Sequence, residues 1–171
     1  MKNVSFLGDV LPLKNKIYRL ALRITLDSAE AEDIVQETLM KVWERREDLP
    51  RIDSIEAFSL AIAHNLALNW LKRSGQQSES FDEEGTVRMA TLATDPYEQI
   101  VGNDRVALVK RIVDRLPEKQ RSCMQLRDFE GKPYKEIAQI LGISEEQVKV
   151  NIFRARQTVK QQFTKLDKHG L

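Results

Sequence analysis

The chain reads as all-α, with two small helical domains joined by a flexible linker and the C-terminal one a helix-turn-helix. Three observations predict this. Pro12, Pro50, Gly75, Gly85, Pro96, Pro117, Gly131, Pro133 and Gly142 cut the sequence into long segments whose apolar residues recur at helical spacing. None of these segments sustains the alternation of a strand. Residues 75–99 are rich in Gln, Ser, Glu and Thr and show little periodicity, the composition of a linker. Finally, Tyr134–Arg156 holds two helical patterns that meet at a glycine. Composition agrees, since 42% apolar and 31% charged residues make a soluble, folded chain, and 171 residues hold one ordinary domain or two small ones. Domain limits are expected at 1–74, 75–102 for the linker, and 103–171.

The first helix is expected from about Leu13 to Leu26, with Ile17, Leu20, Ala21 and Ile24 inward. A second runs from near Ser28 to Arg46, with Ala31, Ile34, Val35, Leu39, Val42 and Trp43 as its buried stripe. Its other side carries Asp33, Gln36, Glu37, Lys41 and Glu44. The Asp33-Gln36-Glu37 group lacks the alternating Glu/Lys pairs of an ordinary solvated face, which favours a partner-binding surface. A loop at 47–54 leads to Ser54, the expected cap of a third helix from Ile55 to Arg73. That helix is apolar nearly all round, so it sits mid-domain. Its one polar seam is Asn65, Asn69 and Arg73, with Lys72 beside it, a set suited either to base edges and phosphates or to hydrogen bonding within the fold. His64 has neither metal-ligand nor carboxylate company at helical spacing and reads as a packing or surface residue.

Beyond the linker a helix is expected near Asp104–Leu116, and Pro117 restarts a second one to about Phe129. The helix-turn-helix follows. Ile137, Ala138 and Leu141 face inward, Gly142 permits a left-handed turn, and Ile143 plugs the corner. Ser144 and Gln147 form a capping box at the start of the last helix. There Val148, Ile152, Ala155 and Val159 make the inward stripe, which leaves Lys149, Val150, Phe153 and Arg154 outside. A large apolar ring flanked by cations on an outer face fits thymine methyls, phosphates and guanine edges.

Charge is distributed to match. The net charge is only +1, but residues 1–74 balance, 75–102 carry −5 and 103–171 carry +6. A lone Cys123 excludes a disulfide framework and a zinc cluster, and its setting is that of a buried apolar residue. There is no Gly-rich phosphate loop, metal-spaced His/Cys set or carboxylate pair beside a nucleophile, so neither an enzyme nor a cofactor is expected. No signal peptide is read, and no apolar run approaches the ~20 residues of a membrane span, so a cytoplasmic protein without membrane insertion is expected.

Four blocks in order now carry a resemblance: A-E-D-I-V-Q-E-T-L at Ala31–Leu39, I-A-H-N-L-A-L-N-W-L-K-R at Ile62–Arg73, L-P-E-K-Q-R at Leu116–Arg121, and F-E-G-K-P-Y-K-E-I-A at Phe129–Ala138, continued by G-I-S-E-E-Q-V-K and F-R-A-R. Over nearly its full length the chain resembles the small extracytoplasmic-function (ECF) sigma factors of the sigma-70 family, which hold only regions 2 and 4. The resemblance implies that Asp33, Gln36, Glu37 and Lys41 dock on core RNA polymerase, on its β′ coiled coil, with the β subunit as a further partner. It implies that Asp53, Ser54, Asn65, Asn69, Lys72 and Arg73 read and melt the −10 promoter element, and that Ser144, Lys149, Val150, Phe153, Arg154 and Arg156 meet the −35 element. An inhibitory anti-sigma protein is a further implied partner. The chain departs from the family pattern in having Phe58-Ser59 in place of a frequent Trp-Leu, and Asn69 in place of a common Asp. A stand-alone helix-turn-helix regulator is the competing reading, and it leaves the acid-and-amide group of the second helix unexplained.

Overall fold

The computed structural model describes residues 3–75 and 104–167, the side chain of Asp167 excepted. The linker expected at 75–102 lies, but for Gly75, outside the described residues. Every regular element among them is helical.

The N-terminal half opens on a π-type turn, Phe6–Val10, which the periodicity of so short a segment does not reveal. Ser5 closes it in both directions. Its Oγ accepts from the Gly8 amide at 3.3 Å, and its own amide donates to Asp9 Oδ2 at 2.7 Å. A 3-10 turn, Leu11–Leu13, leads into α1 (Lys14–Thr25). Helix α1 ends where Leu26 takes φ 58°, a left-handed conformation a branched residue adopts only when held, here by its amide donating to the Leu22 carbonyl at 2.8 Å. Asp27 then caps α2 (Ser28–Glu44) by accepting from the Glu30 amide at 3.0 Å. A 3-10 turn at Leu49–Arg51 occupies the connecting loop, and Ser54 caps α3 (Ile55–Ser74) as expected, its Oγ 3.0 Å from the Ala57 amide.

In the C-terminal half α4 (Asp104–Asp114) and α5 (Glu118–Met124) flank Pro117, and a π-type turn, Gln125–Phe129, continues α5. Helices α6 (Tyr134–Leu141) and α7 (Glu145–Asp167) form the helix-turn-helix. Gly142 adopts φ 68° and its amide closes α6 on the Ala138 carbonyl. The capping box forms in full: the Ser144 amide donates to Gln147 Oε1 at 2.9 Å and the Gln147 amide to Ser144 Oγ at 3.1 Å.

The two halves pack against each other. Ala57, Leu60, Ala63, Ala67 and Leu71 of α3 lie in one apolar cluster with Cys123, Leu126, Ile137, Ile140, Val148 and Ile152 of the C-terminal half. Burial pushes the Cys123 thiol up to about 12, so it behaves as a core residue. Ion pairs rim this seam. Arg19 pairs with Glu130 at 2.8 Å, Arg23 with Asp114 at 2.5 Å, and Glu56 with both Lys16 and Lys132. His64 is buried within it, its Nε2 3.5 Å from a Glu118 carboxylate oxygen. Helical spacing offers His64 no acid because this one arrives from the other half.

At the centre lies Arg121, 6% exposed. Its guanidinium donates to the carbonyls of Arg23 (2.6 Å) and Ile24 (2.8 Å) in the last turn of α1. It also reaches those of Leu116 (2.7 Å) and Asp114 (3.4 Å) at the end of α4. One cation therefore serves the carbonyl ends of two helices from different halves, where backbone acceptors lack intrahelical donors and the helix dipoles are negative.

The rim also fixes how acid acts on the fold. Burial alone would raise the Glu56 carboxyl, but hydrogen bonds from Lys132 and Lys16 outweigh it and leave it below the ordinary value of 4.5. Glu130 is held below that value chiefly by the hydrogen bond from Arg19. Carboxylates depressed on folding give stability that is complete above the unfolded pKa and is lost as the pH falls through the lower folded one. The urea midpoint is therefore expected to hold steady down to about pH 5 and to drop below about 4.5. A Glu56→Gln, Glu130→Gln double variant should start lower and fall less steeply over that window.

Candidate polymerase and promoter interfaces

Three polar surfaces stand exposed at once. On α2 the inward face is Ala31, Ile34, Val35, Thr38 and Val42, and Asp33, Gln36, Glu37 and Lys41 all point to solvent. Asp33, Gln36 and Glu37 enter no hydrogen bond or ion pair among the described residues. The Glu30 carboxyl just upstream is raised by burial and then by Asp33 and Asp27, with Arg73 opposing. The surface thus concentrates negative charge that a basic partner would relieve.

Trp43 corrects the sequence reading. It was expected in the buried stripe, yet it is 48% exposed, and Leu39 is only half-buried. Val42 takes the core position, and Trp43, one residue on, swings about 100° around the helix to its margin. There the ring meets Phe6 edge-to-face at 5.1 Å and lies under the Arg46 guanidinium at 4.2 Å. Met40, three residues before Trp43 on the same helix, is exposed as well. Exposure of this kind leaves no mark on a hydrophobic pattern, which reports the residue type and not what covers it.

On α3 the polar seam faces out. Asn65, Asn69, Lys72 and Arg73 are exposed, while Ala57, Ser59, Leu60, Ala63, His64, Ala67 and Leu71 are buried. The two amides sit one helical turn apart, and the two cations end the row, where the helix dipole favours them. The hydrogen-bonded-within-the-core reading of this seam therefore fails. Asp53 is exposed just before α3, whereas the Ser54 hydroxyl is engaged as the helix cap.

On α7 Val148, Ile152 and Ala155 are buried, and Lys149, Val150, Phe153 and Arg154 are exposed, Phe153 by 62%. Val150, 40% exposed, and Phe153 set apolar surface beside the Lys149 and Arg154 cations on this face. Ser144 spends its hydroxyl lone pair on the cap but keeps its O–H. Arg156 is exposed yet engaged, since its guanidinium grips the Asp128 carboxylate through two nitrogens, Nε at 3.1 Å from Oδ2 and Nη2 close to Oδ1. Tyr134 joins the group, with Arg127 stacked over its ring at 4.5 Å and Lys149 at 5.9 Å from its centroid. Sequence reasoning named Lys149 and Arg156 and missed Asp128, Tyr134 and Arg127, whose convergence depends on the turn before α6. Among the described residues no metal-ligating group of three is present, and no helix is long and apolar enough to cross a membrane.

Comparison with known proteins places both halves. Residues 10–77 match the family model for sigma-70 region 2 and residues 107–159 that for sigma-70 region 4. A probable RNA polymerase sigma factor RfaY of Xanthomonas campestris is 31% identical over 154 residues, covering 88% of this chain and 38% of its own length. The ECF RNA polymerase sigma factor SigE of Mycolicibacterium smegmatis is 30% identical over 152 residues, 88% of this chain and 58% of its own. The chain thus spans well under two thirds of either relative. Its fold is that of the sigma factor RpoE from Bartonella quintana, solved in complex with the anti-sigma factor NepR, with a TM-score of 0.75, 25% identity, and coverage of 95% of this chain and 98% of that one. Two matched regions in sequence order, on an all-helical fold shared with RpoE, establish that the chain belongs to the sigma-70 family as an ECF sigma factor.

Proposed function

We propose that this chain binds core RNA polymerase and directs it to promoters carrying matched −35 and −10 elements, assisting strand opening and contributing no catalysis of its own. The observation that carries the reading is the simultaneous exposure, on three separate helices, of Asp33, Gln36 and Glu37, of Asn65, Asn69 and Arg73, and of Val150, Phe153 and Arg154. In this reading Asp33, Gln36, Glu37 and Lys41 grip the polymerase, with its β′ coiled coil and β subunit as the docking sites. Asp53, Ser54, Asn65, Asn69, Lys72 and Arg73 hold the −10 strand, where the cost of unstacking a base is offset by pocket contacts and backbone neutralisation. Ser144, Lys149, Val150, Phe153, Arg154 and Arg156 face the −35 duplex. Residues 1–74 and 103–171 would be the two working domains and 75–102 their acidic connector, acting in the cytoplasm. RpoE's complex with NepR supports an anti-sigma protein as the regulator here too.

The test is in vitro transcription with bare core polymerase on a promoter library. Defined start sites that depend on the chain are expected, and their absence would leave a stand-alone DNA-binding regulator as the better reading. Within the active system, Arg154→Ala should weaken binding to the −35 duplex by about 1–3 kcal/mol, the scale of one base contact. Unchanged affinity in a fluorescence titration would remove Arg154 from that surface.

A further inference from the structure

The Asp128–Arg156 pair is out of place for a structural contact. It joins the turn before α6 to the outer face of α7, with side-chain exposures of 30% and 50%. Exposed pairs add little to stability, about 0–1 kcal/mol. Yet the geometry is the two-pronged one that an arginine uses on a phosphate. The arginine belongs to the DNA-facing row, since Lys149, Phe153 and Arg156 follow one another at helical spacing, and Arg127, the residue before Asp128, shares the Tyr134 ring with Lys149. The hydrogen bond that Arg156 donates to Asp128 raises the Arg156 pKa, so the guanidinium is tied to an anion already.

Building on the −35 reading, we propose that Asp128 is an internal substitute for a DNA phosphate, holding Arg156 in the free protein and surrendering it to the backbone when α7 docks. Asp128 is then a positioning residue that sets the strength and salt dependence of duplex binding without reading sequence. The chemistry is an exchange of one oxyanion for another on the same guanidinium. While Asp128 keeps its charge, the pair adds almost nothing to the net positive charge seen by DNA. Each phosphate neutralised by a free cation contributes about −0.9 to the slope of log K against log salt, so the pair hides close to one such unit.

The experiment is fluorescence anisotropy with the full chain on a promoter duplex from the transcription assay and on a scrambled duplex, from about 0.1 to 0.4 M salt. Asp128→Asn should bind both duplexes about 3–6-fold tighter near 0.15 M salt, with a slope steeper by about one and an unchanged ratio between them. Asp128→Glu, which keeps the charge, should retain the wild-type slope. In an Arg156→Gln background the effect of Asp128→Asn should shrink below about 2-fold, as coupled partners require. Thermal unfolding of each variant separates a folding defect from a binding effect. Weaker or unchanged binding by Asp128→Asn, or a shifted ratio between the duplexes, would overturn the proposal while leaving the −35 reading intact. A wild-type chain that binds no duplex would overturn both.

Discussion

Arg121→Ala lowers the unfolding free energy by about 3–5 kcal/mol, the range for removing a buried, fully bonded charge. The guanidinium has no exposed alternative, being 6% accessible, and its loss strands four backbone carbonyls at once. In α1 the Leu22 carbonyl is already served by the Leu26 amide, and those of Arg23 and Ile24 have Arg121 as their donor. Buried acceptors without donors cost about 1–3 kcal/mol each, partly recovered if water enters. Its carboxylate neighbours Glu118 and Asp114 would also lose a compensating charge. Arg121→Lys should recover less than half of the loss, because one ammonium on a flexible stem cannot reach the ends of α1 and α4 together. Urea unfolding of the full chain is the measurement. A loss under about 1 kcal/mol would mean that the carbonyls find other donors easily.

Glu37→Lys is expected to weaken core polymerase binding about 100-fold while leaving the fold and the duplex affinity as they were. Glu37 is exposed and bonded to nothing in the described residues, and substitutions at such positions change stability by at most about 0.5 kcal/mol. Its functional effect should be much larger, because it places a cation among Asp33, Gln36 and Lys41 on a face proposed to meet a basic partner. Reversing a charge at such a contact costs several kcal/mol when the groups are desolvated. A fall of about 100-fold in core polymerase affinity, close to 2.7 kcal/mol, is the expected scale. Pull-down and run-off transcription read it directly. Normal transcription by the variant would remove α2 from the polymerase interface, and parallel loss of −35 duplex binding would point to a damaged fold instead.

What the sequence made legible was local. The Ser144/Gln147 box, the Ser54 cap, the left-handed Gly142 and the inward stripe of α7 all depend on residues within a turn of one another, and each forms as its spacing predicts. The exposed Phe153 ring was legible for the same reason, as a residue left over once a core face is assigned, whereas the spacing of Asn65 and Asn69 left open whether that row faces out. Contacts between distant positions were not. Arg19 meets Glu130 and Arg121 meets Ile24 across roughly a hundred residues, and neither pairing leaves a trace at helical spacing. Trp43 failed for a related reason, since the Phe6–Val10 turn that covers only its edge carries no periodic signal of its own.

The shared core of the two halves sets a length problem. The −35 and −10 elements are centred about 25 base pairs apart, roughly 85 Å along the duplex at about 3.4 Å per step. A compact body of this size has a radius of gyration of about 16 Å, hence a breadth near 40 Å, by the usual scaling for folded chains. The Asn69 row and the Phe153 face can both be open to solvent and still be too close together to lie on both elements of one promoter. On the reading proposed above, engagement of both elements needs α3 to part from α6, exposing Leu60, Ala63, Ile137 and Ile140. The 28 residues between Gly75 and Asp104 can reach at most about 95 Å when drawn out, enough to cover the distance with little to spare.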